Sequence, residues 1–548
     1  MIQSACAILI ALAVSGDPTE PTPLRWGFDD IGVRGVDCWN EGCLLRHPKA
    51  SELMEEFQFD LWITWYPDKA CTWGTARNRD YIHEIDAWCA EHDMYWIANQ
   101  LANVWNNAAE TCIDPDGQDW FNRPDGRRFH LFPPDVLSAF SECERLLGLM
   151  YDEAEHHQNS RNAVSGFERP SIYDPDDDEL HEAADAHTEA VRALVGHHAQ
   201  FGIDLYTEHV FPVMYHTFAR AGVTAGTKVL KETWSPVYIA CALGAAVQYD
   251  TELWVTPDLW GVTGYPHHGP DAYRSSLVLA YHLGADCIYT ESLALDHMGG
   301  GEGSLVLMTP EDYEVRPLGE AAKWFIGEYV PGNPRHYTKD QVKPRVAIIR
   351  QEDGCWGQFN TPYPWTPDML FGSTEWKCGA ANRAWLDIWH VLTNGVVPRE
   401  GLSWWLPDQH AKPYQVFCPL DGVVVFDHHA RLAHFGEAEV LFLTGIGVSP
   451  ETLADVGEAV RAGATCIALP HLVPETIREA TGADGIYEDG AGKWLITDDF
   501  LSDAVRQTVA PVLPNGDIIR YQFGDTVVTL RPKDGDLNRL EATVEPVR

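Results

Sequence analysis

The hydrophobic pattern of this chain is a succession of short apolar runs, each breaking abruptly into polar residues. Leu24 to Phe28 runs into Asp29-Asp30, Phe59 to Trp65 into Tyr66-Pro67-Asp68, and Met94 to Ala98 into Asn99-Gln100. Leu147 to Tyr151 runs into Asp152-Glu153, Ile203 to Thr207 into Glu208-His209, and Thr227 to Leu230 into Lys231-Glu232-Thr233-Trp234. Leu253 to Thr256 runs into Pro257-Asp258, and Ala285 to Thr290 into Glu291. Runs of this length without alternation suit strands buried on both faces, as in a parallel sheet. Between most of them lie helical patterns, clearest at His83 to His92, Leu180 to Gln200, Pro236 to Tyr249 and Ala272 to Leu283. Eight strands, each followed by a crossover, predict an α/β fold of the (β/α)8 barrel (TIM barrel) type. An open doubly wound sheet is the alternative, but it calls for a Gly-rich phosphate turn after the first strand, and none is there.

The pattern changes after Pro331 to Pro344. Arg345 to Ile349, Gly422 to Phe426, Val440 to Leu443 and Thr465 to Leu469 read as strands, with helices at Ala380 to Leu392 and Pro450 to Ala462. This βαβ succession predicts a second, flavodoxin-like α/β domain. Thr444 to Gly447 reads as a tight strand-to-helix turn. From Ile518 to Val544 short alternating strands predict a small C-terminal β region. The expected divisions are 1–23, a signal-peptide-like segment and linker; 24–335, the barrel; 336–485, the flavodoxin-like domain; and 486–548, the β region. Insertions at Trp105 to Arg145 and His156 to Asp178 fall on the C-terminal side of their strands, where active-site walls are built.

Composition narrows the partners. The 548 residues carry 81 Asp and Glu against 39 Lys and Arg, a formal net charge of −42. Nucleic acid and anionic membranes are excluded as expected partners, since both need Lys and Arg. The 13 cysteines form no CxxC pair, which removes zinc-ribbon and thioredoxin patterns. Cys38 with Cys43, and Cys71 with Cys112, sit in expected loops close enough in sequence to bridge. Ala5 to Val14 followed by Gly16-Asp17-Pro18 resembles a secretory h-region with its cleavage site, which predicts a secreted or periplasmic protein.

The chemistry expected at the strand ends is acidic. Asp29, Asp152, Glu153, Glu208, Glu232, Asp258 and Glu291 would converge on one mouth, and burying so many carboxylates for structure alone is costly. Crowding raises some of their pKa values and sets a proton donor beside an ionised partner. Glycoside hydrolysis needs that pair. Trp65, Trp234, Trp260 and Tyr289 are the aromatics placed to stack on sugar faces, with Asn99 and His209 as hydroxyl or carboxylate partners. Other Trp residues of the strands, among them Trp26, Trp62, Trp96 and Trp254, read equally well as packing between strands and helices. No cofactor and no metal ligand is expected. A His-x-His on the first strand is absent, and the adjacent pairs His156-His157, His267-His268 and His428-His429 would point apart on a strand. The run Asp174 to Asp178 lacks the Gly and distal Glu of a calcium loop. No Gly-x-Ser-x-Gly elbow is present, and Cys241 and Cys287 read as small core residues.

A barrel with an acid pair ending strand four, then a flavodoxin-like domain and a β tail, resembles the beta-galactosidase-type family 42 glycoside hydrolases and their relatives. In that broad clan strand four ends Asn-Glu, the Glu being the acid/base. The resemblance implies that role for Glu153, with Asp152 departing from the pattern. The clan's nucleophile, a Glu ending strand seven, meets Asp258 here, so Glu232 and then Glu291 are the expected nucleophiles. The resemblance also implies a homo-oligomer. The combined expectation is a glycosidase acting on a neutral oligo- or polysaccharide; the alternatives are a non-catalytic carbohydrate-binding barrel and a metal-dependent hydrolase.

Overall fold

The computed structural model describes residues 20–30, 43–65, 76–99, 134–155, 179–230, 234–259, 269–294, 303–357, 370–371, 376, 378–399, 402, 417–482 and 484–547. Eight strands, β1 (Arg25–Asp29), β2 (Leu61–Trp65), β3 (Tyr95–Asn99), β4 (Leu146–Asp152), β5 (Asp204–His209), β6 (Thr224–Val229), β7 (Trp254–Pro257) and β8 (Cys287–Thr290), close into a parallel barrel in sequence order. β1 pairs with β8 in the register Arg25↔Cys287, which completes the ring. Each expected strand lies within a few residues of an observed one, because a strand buried on both sides must be apolar throughout.

The barrel interior is filled by Leu61, Ile63, Ile97, Met150, Tyr206, Trp254, Cys287 and Tyr289. Trp26, Trp62 and Trp96 face outward instead, into the layer between strands and helices. Each is buried, and each indole N–H is satisfied, by Phe57 O, Asp30 and Asp86 respectively. A short pair, β9 (Val306–Met308) and β10 (Tyr313–Val315), follows the barrel.

Two further sheets lie beyond it. One contains β12 (Val346–Gln351), β14 (Val423–Phe426), β15 (Val440–Gly445), β16 (Thr465–Ala468), β17 (Gly485–Asp489) and β18 (Gly492–Ile496), in the order β14-β12-β15-β16-β18-β17. All its pairings are parallel except the edge hairpin β17–β18. The other sheet joins β11 (Val342–Lys343), β19 (Ile519–Phe523), β20 (Thr526–Lys533) and β21 (Asp536–Pro546), with β13 (Leu420–Asp421) also pairing β19. Thr444 and Gly445 end β15, Gly445 at φ +89°, and a short link leads to the helix Pro450–Ala462, which is capped by Ser449, whose side chain accepts from Thr452 N.

The barrel and the six-stranded sheet share a packed boundary. The barrel helix Ser235–Tyr249 lies so close to β14 that a Cβ on Gly244 would fall 1.5 Å from Val425 O. Asp427, just past β14, accepts from both Gln248 and Tyr249 at the end of that helix. Glu352 accepts from the backbone N–H (3.0 Å) and hydroxyl (2.9 Å) of Thr217 on the barrel side.

Candidate active site

Side chains alternate along a strand, and the interior residues fix which parity faces inward. Tyr206 puts Glu208 inward on β5, Trp254 puts Asp258 inward past β7, and Tyr289 puts Glu291 inward past β8. Gly226, whose missing Cβ would face Trp254 at 3.3 Å, puts Lys228 inward on β6. These four side chains meet at the C-terminal end of the barrel, together with Glu153.

The centre of the cluster is Lys228, 1% exposed. Its Nζ lies 2.8 Å from Glu291, 3.1 Å from Glu208, 3.3 Å from Glu153 and 3.7 Å from Asp258. An ammonium group has three N–H bonds and here faces four carboxylates, so the contacts include charge attraction as well as hydrogen bonding. Among the described residues Lys228 is the one cation in contact with these four acids, and sharing it among them in a low-dielectric setting is costly. Burial raises the pKa of Glu208, even though Lys228 pulls it down. Tyr289 hydrogen-bonds to Glu208 from within the barrel. Asp258 and Glu291 are held side by side by an isolated parallel bridge between β7 and β8.

Glu153 reaches the cluster by a different route. Met150 faces the barrel interior, so alternation would turn residue 153 outward. Its backbone instead adopts φ +50°, in the left-handed region, while its N–H donates to Glu208 O at 2.9 Å. A non-Gly residue held there costs roughly 1 kcal/mol or more, and such strain collects at functional sites. At 16% side-chain exposure Glu153 is the most accessible of the four acids.

The remaining expected residues take other places. Asp29 and Asn99 are buried at the ends of β1 and β3. Tyr289 is 1% exposed and serves as a hydrogen-bond donor to Glu208 from inside the barrel, not as a stacking surface at its rim. His209 is fully buried; its Nδ1 pairs with Val213 O at 3.0 Å, its ring stacks on Tyr215, and burial pulls its pKa down to about 4. A neutral imidazole so enclosed braces the loop after β5. Trp234 is packed in the core at 6% exposure, immediately before the helix Ser235–Tyr249. Glu232 and Trp260 lie outside the described residues, as do His156-His157, His267-His268, Asp174 to Asp178, Cys38, Cys71 and Cys112. Of Trp65 and Asp152, which close β2 and β4, only the backbone is described.

Two residues were not anticipated. Lys228 interrupts the apolar run it belongs to, and its signal was a lysine inside a doubly buried strand. Glu155 is fully buried, accepts from Val210 N (2.7 Å) and Phe211 N (2.9 Å), and has its pKa pushed up to about 8 by burial.

No family model matches the chain, and no curated protein matches it in sequence. Among solved structures, the exo-beta-1,4-mannosidase Op5Man5 of Opitutaceae bacterium strain TAV5 overlays with a TM-score of 0.47 at 13% identity, covering 89% of this chain and 94% of that one. A GH5_18 protein from Streptomyces cattleya, in complex with GlcNAc, gives 0.42 at 14% identity, covering 74% and 99%. A truncated 3-deoxy-D-arabino-heptulosonate 7-phosphate synthase of Thermotoga maritima gives 0.29 at 10% identity, covering 57% and 89%. Likenesses this loose span unlike chemistries, so the functional argument rests on the side chains at the barrel mouth.

Proposed function

We propose that the chain is a glycoside hydrolase working by a two-carboxylate mechanism on a neutral oligo- or polysaccharide. One observation supports this above the others: Glu153, from the end of β4, and Glu291, from the end of β8, contact the same Lys228 nitrogen. Their oxygens are therefore no farther apart than the two contacts of 3.3 and 2.8 Å laid end to end. A spacing of about 5–5.5 Å, that of retaining enzymes, falls within this ceiling on the contacting oxygens, and we infer retention of stereochemistry.

The roles follow from charge and access. Lys228 makes its shortest contact with Glu291, so electrostatics favours the negative charge there, as a nucleophile needs. Glu153, the more exposed acid, protonates the leaving oxygen and then takes a proton from water. Lys228, held as an ammonium ion by its carboxylates, orients Glu291 and is not itself a nucleophile. Glu208, whose pKa burial raises, accepts from Tyr289 and stands beside the pair. The six-stranded sheet has its first five strands in the order second, first, third, fourth, last, which supports the flavodoxin-like reading of that region.

Lys228 also favours a second reading, a carbohydrate-binding barrel in which the ammonium neutralises the acids and no sugar is cleaved. Glu153→Gln and Glu291→Gln separate the two. Assayed on a panel of aryl glycosides and neutral oligosaccharides, the parent chain should release sugar, and each variant should lose about a thousandfold or more in kcat while still binding sugar. Sugar binding by a parent chain that releases no sugar from the panel would sink the hydrolase and leave the binding barrel.

A further inference from the structure

Away from the barrel mouth, three side chains with metal-ligand chemistry converge where the barrel meets the six-stranded sheet. Asp185 comes from the barrel helix Leu180–Ala199, and His428 and His429 from the turn after β14. One ligand atom from each lies within 4.8 Å of the other two. Adjacent histidines diverge along a strand, but these two occupy a turn, and their ring centroids are 4.0 Å apart at an interplanar angle of 40°. We propose that Asp185, His428 and His429 form a site for a divalent transition-metal ion, zinc being the natural occupant, which clasps the barrel to the six-stranded sheet.

Independent observations support it. His428 is 7% exposed, and its Nδ1 is buried with no hydrogen-bond partner. An imidazole nitrogen left so costs free energy unless something occupies it. Two imidazoles and a carboxylate match zinc, copper, nickel and cobalt in donor type, and disfavour calcium and magnesium. Asp185 and His429 are exposed. Their side chains can therefore draw in to the roughly 2.0–2.2 Å ligand distances of zinc, and water can fill the fourth position.

The surroundings are prepared for both states. Arg220 donates to Asp185 at 3.0 Å, using one of its two carboxylate oxygens, and stands in for a cation when none is bound. Asp427, anchored by Gln248 and Tyr249, accepts from the backbone N–H of His429 at 2.7 Å and so fixes the turn that carries both rings. The three ligands come from chain segments more than two hundred residues apart, so the ion would join two packed layers of the molecule and not merely decorate a loop.

The test is calorimetric titration of zinc chloride into the full chain after chelator treatment and desalting, with excess magnesium present to cover the acidic surface. The expected result is one zinc per chain, with affinity falling at least tenfold in both His429→Ala and Asp185→Asn, and a zinc-dependent rise in melting temperature that both variants lose. Both residues are exposed, so the variants should melt like the parent when zinc is absent. Zinc binding that is absent, or that is unchanged in the two variants, would overturn the proposal.

Discussion

Glu155 shows how a single side chain can set a pH limit on the fold. Its carboxyl is fully buried and accepts two backbone N–H groups, yet burial outweighs those bonds and lifts its pKa from 4.5 to about 8. The folded chain therefore keeps this proton to higher pH than the unfolded chain does. The resulting stability is complete below about pH 4.5 and is lost as pH rises through about 8. Glu155→Gln keeps an oxygen for Val210 and Phe211 and cannot ionise. Melting curves at pH 5 and pH 9 should show the variant losing several degrees less than the parent between the two conditions. Equal losses would mean that the proton on Glu155 is not coupled to folding. At the neighbouring cluster the same physics runs through Lys228, whose one positive charge is shared among four acids.

At the scale of elements, the strands were legible and the bends were not. A strand sealed between barrel interior and helix layer has no polar option, so all eight announced themselves as apolar runs, and Glu208, Asp258 and Glu291 followed at their inward ends. Lys228 interrupts the apolar run of β6, and the strand begins at Thr224, three residues ahead of its expected start at Thr227. Glu153 could be nominated from its place after an apolar run, but no local rule gives a glutamate φ +50°. Trp234 and Tyr289 show the converse, because an aromatic beside a strand end is as easily core as surface, while His209 does lie 3.7 Å from a carboxylate, that of the buried Glu155. The contact of helix Ser235–Tyr249 with β14 is open to direct test. Gly244→Ala forces a Cβ onto Val425 O, with 1.5 Å available, and should destabilise the chain by about 1–3 kcal/mol in a denaturant titration. Gly196→Ala, on a helix where nothing lies within 4 Å of the added atom, is the control and should be neutral or slightly stabilising. Similar behaviour of the two would show that the boundary yields at little cost.

Over the whole molecule, the excess of negative charge is the largest force opposing compactness that salt can reach. With 81 acidic and 39 basic side chains, the surface repels itself in dilute salt. Raising sodium chloride from about 0.05 to 1 M shortens the screening length to about 3 Å, so the melting temperature should climb steadily. A flat or falling curve would mean that local ion pairs already compensate the excess acid. Glu153 is one of 81 acidic side chains, so the salt response should survive in Glu153→Gln with nearly the same slope. Among the described residues no helix is long and apolar enough to cross a membrane.

Three rim residues share a conformation that L-amino acids seldom adopt: Glu153 at φ +50°, Leu230 at φ +80° and Ser292 at φ +81°. Each stands where the chain leaves the barrel, after β4, β6 and β8. The departure angle of those segments is thereby written into the main chain, upstream of any sequence they carry. Drift in the loops can then retune what the mouth recognises while the exits, and the acids mounted on them, stay put.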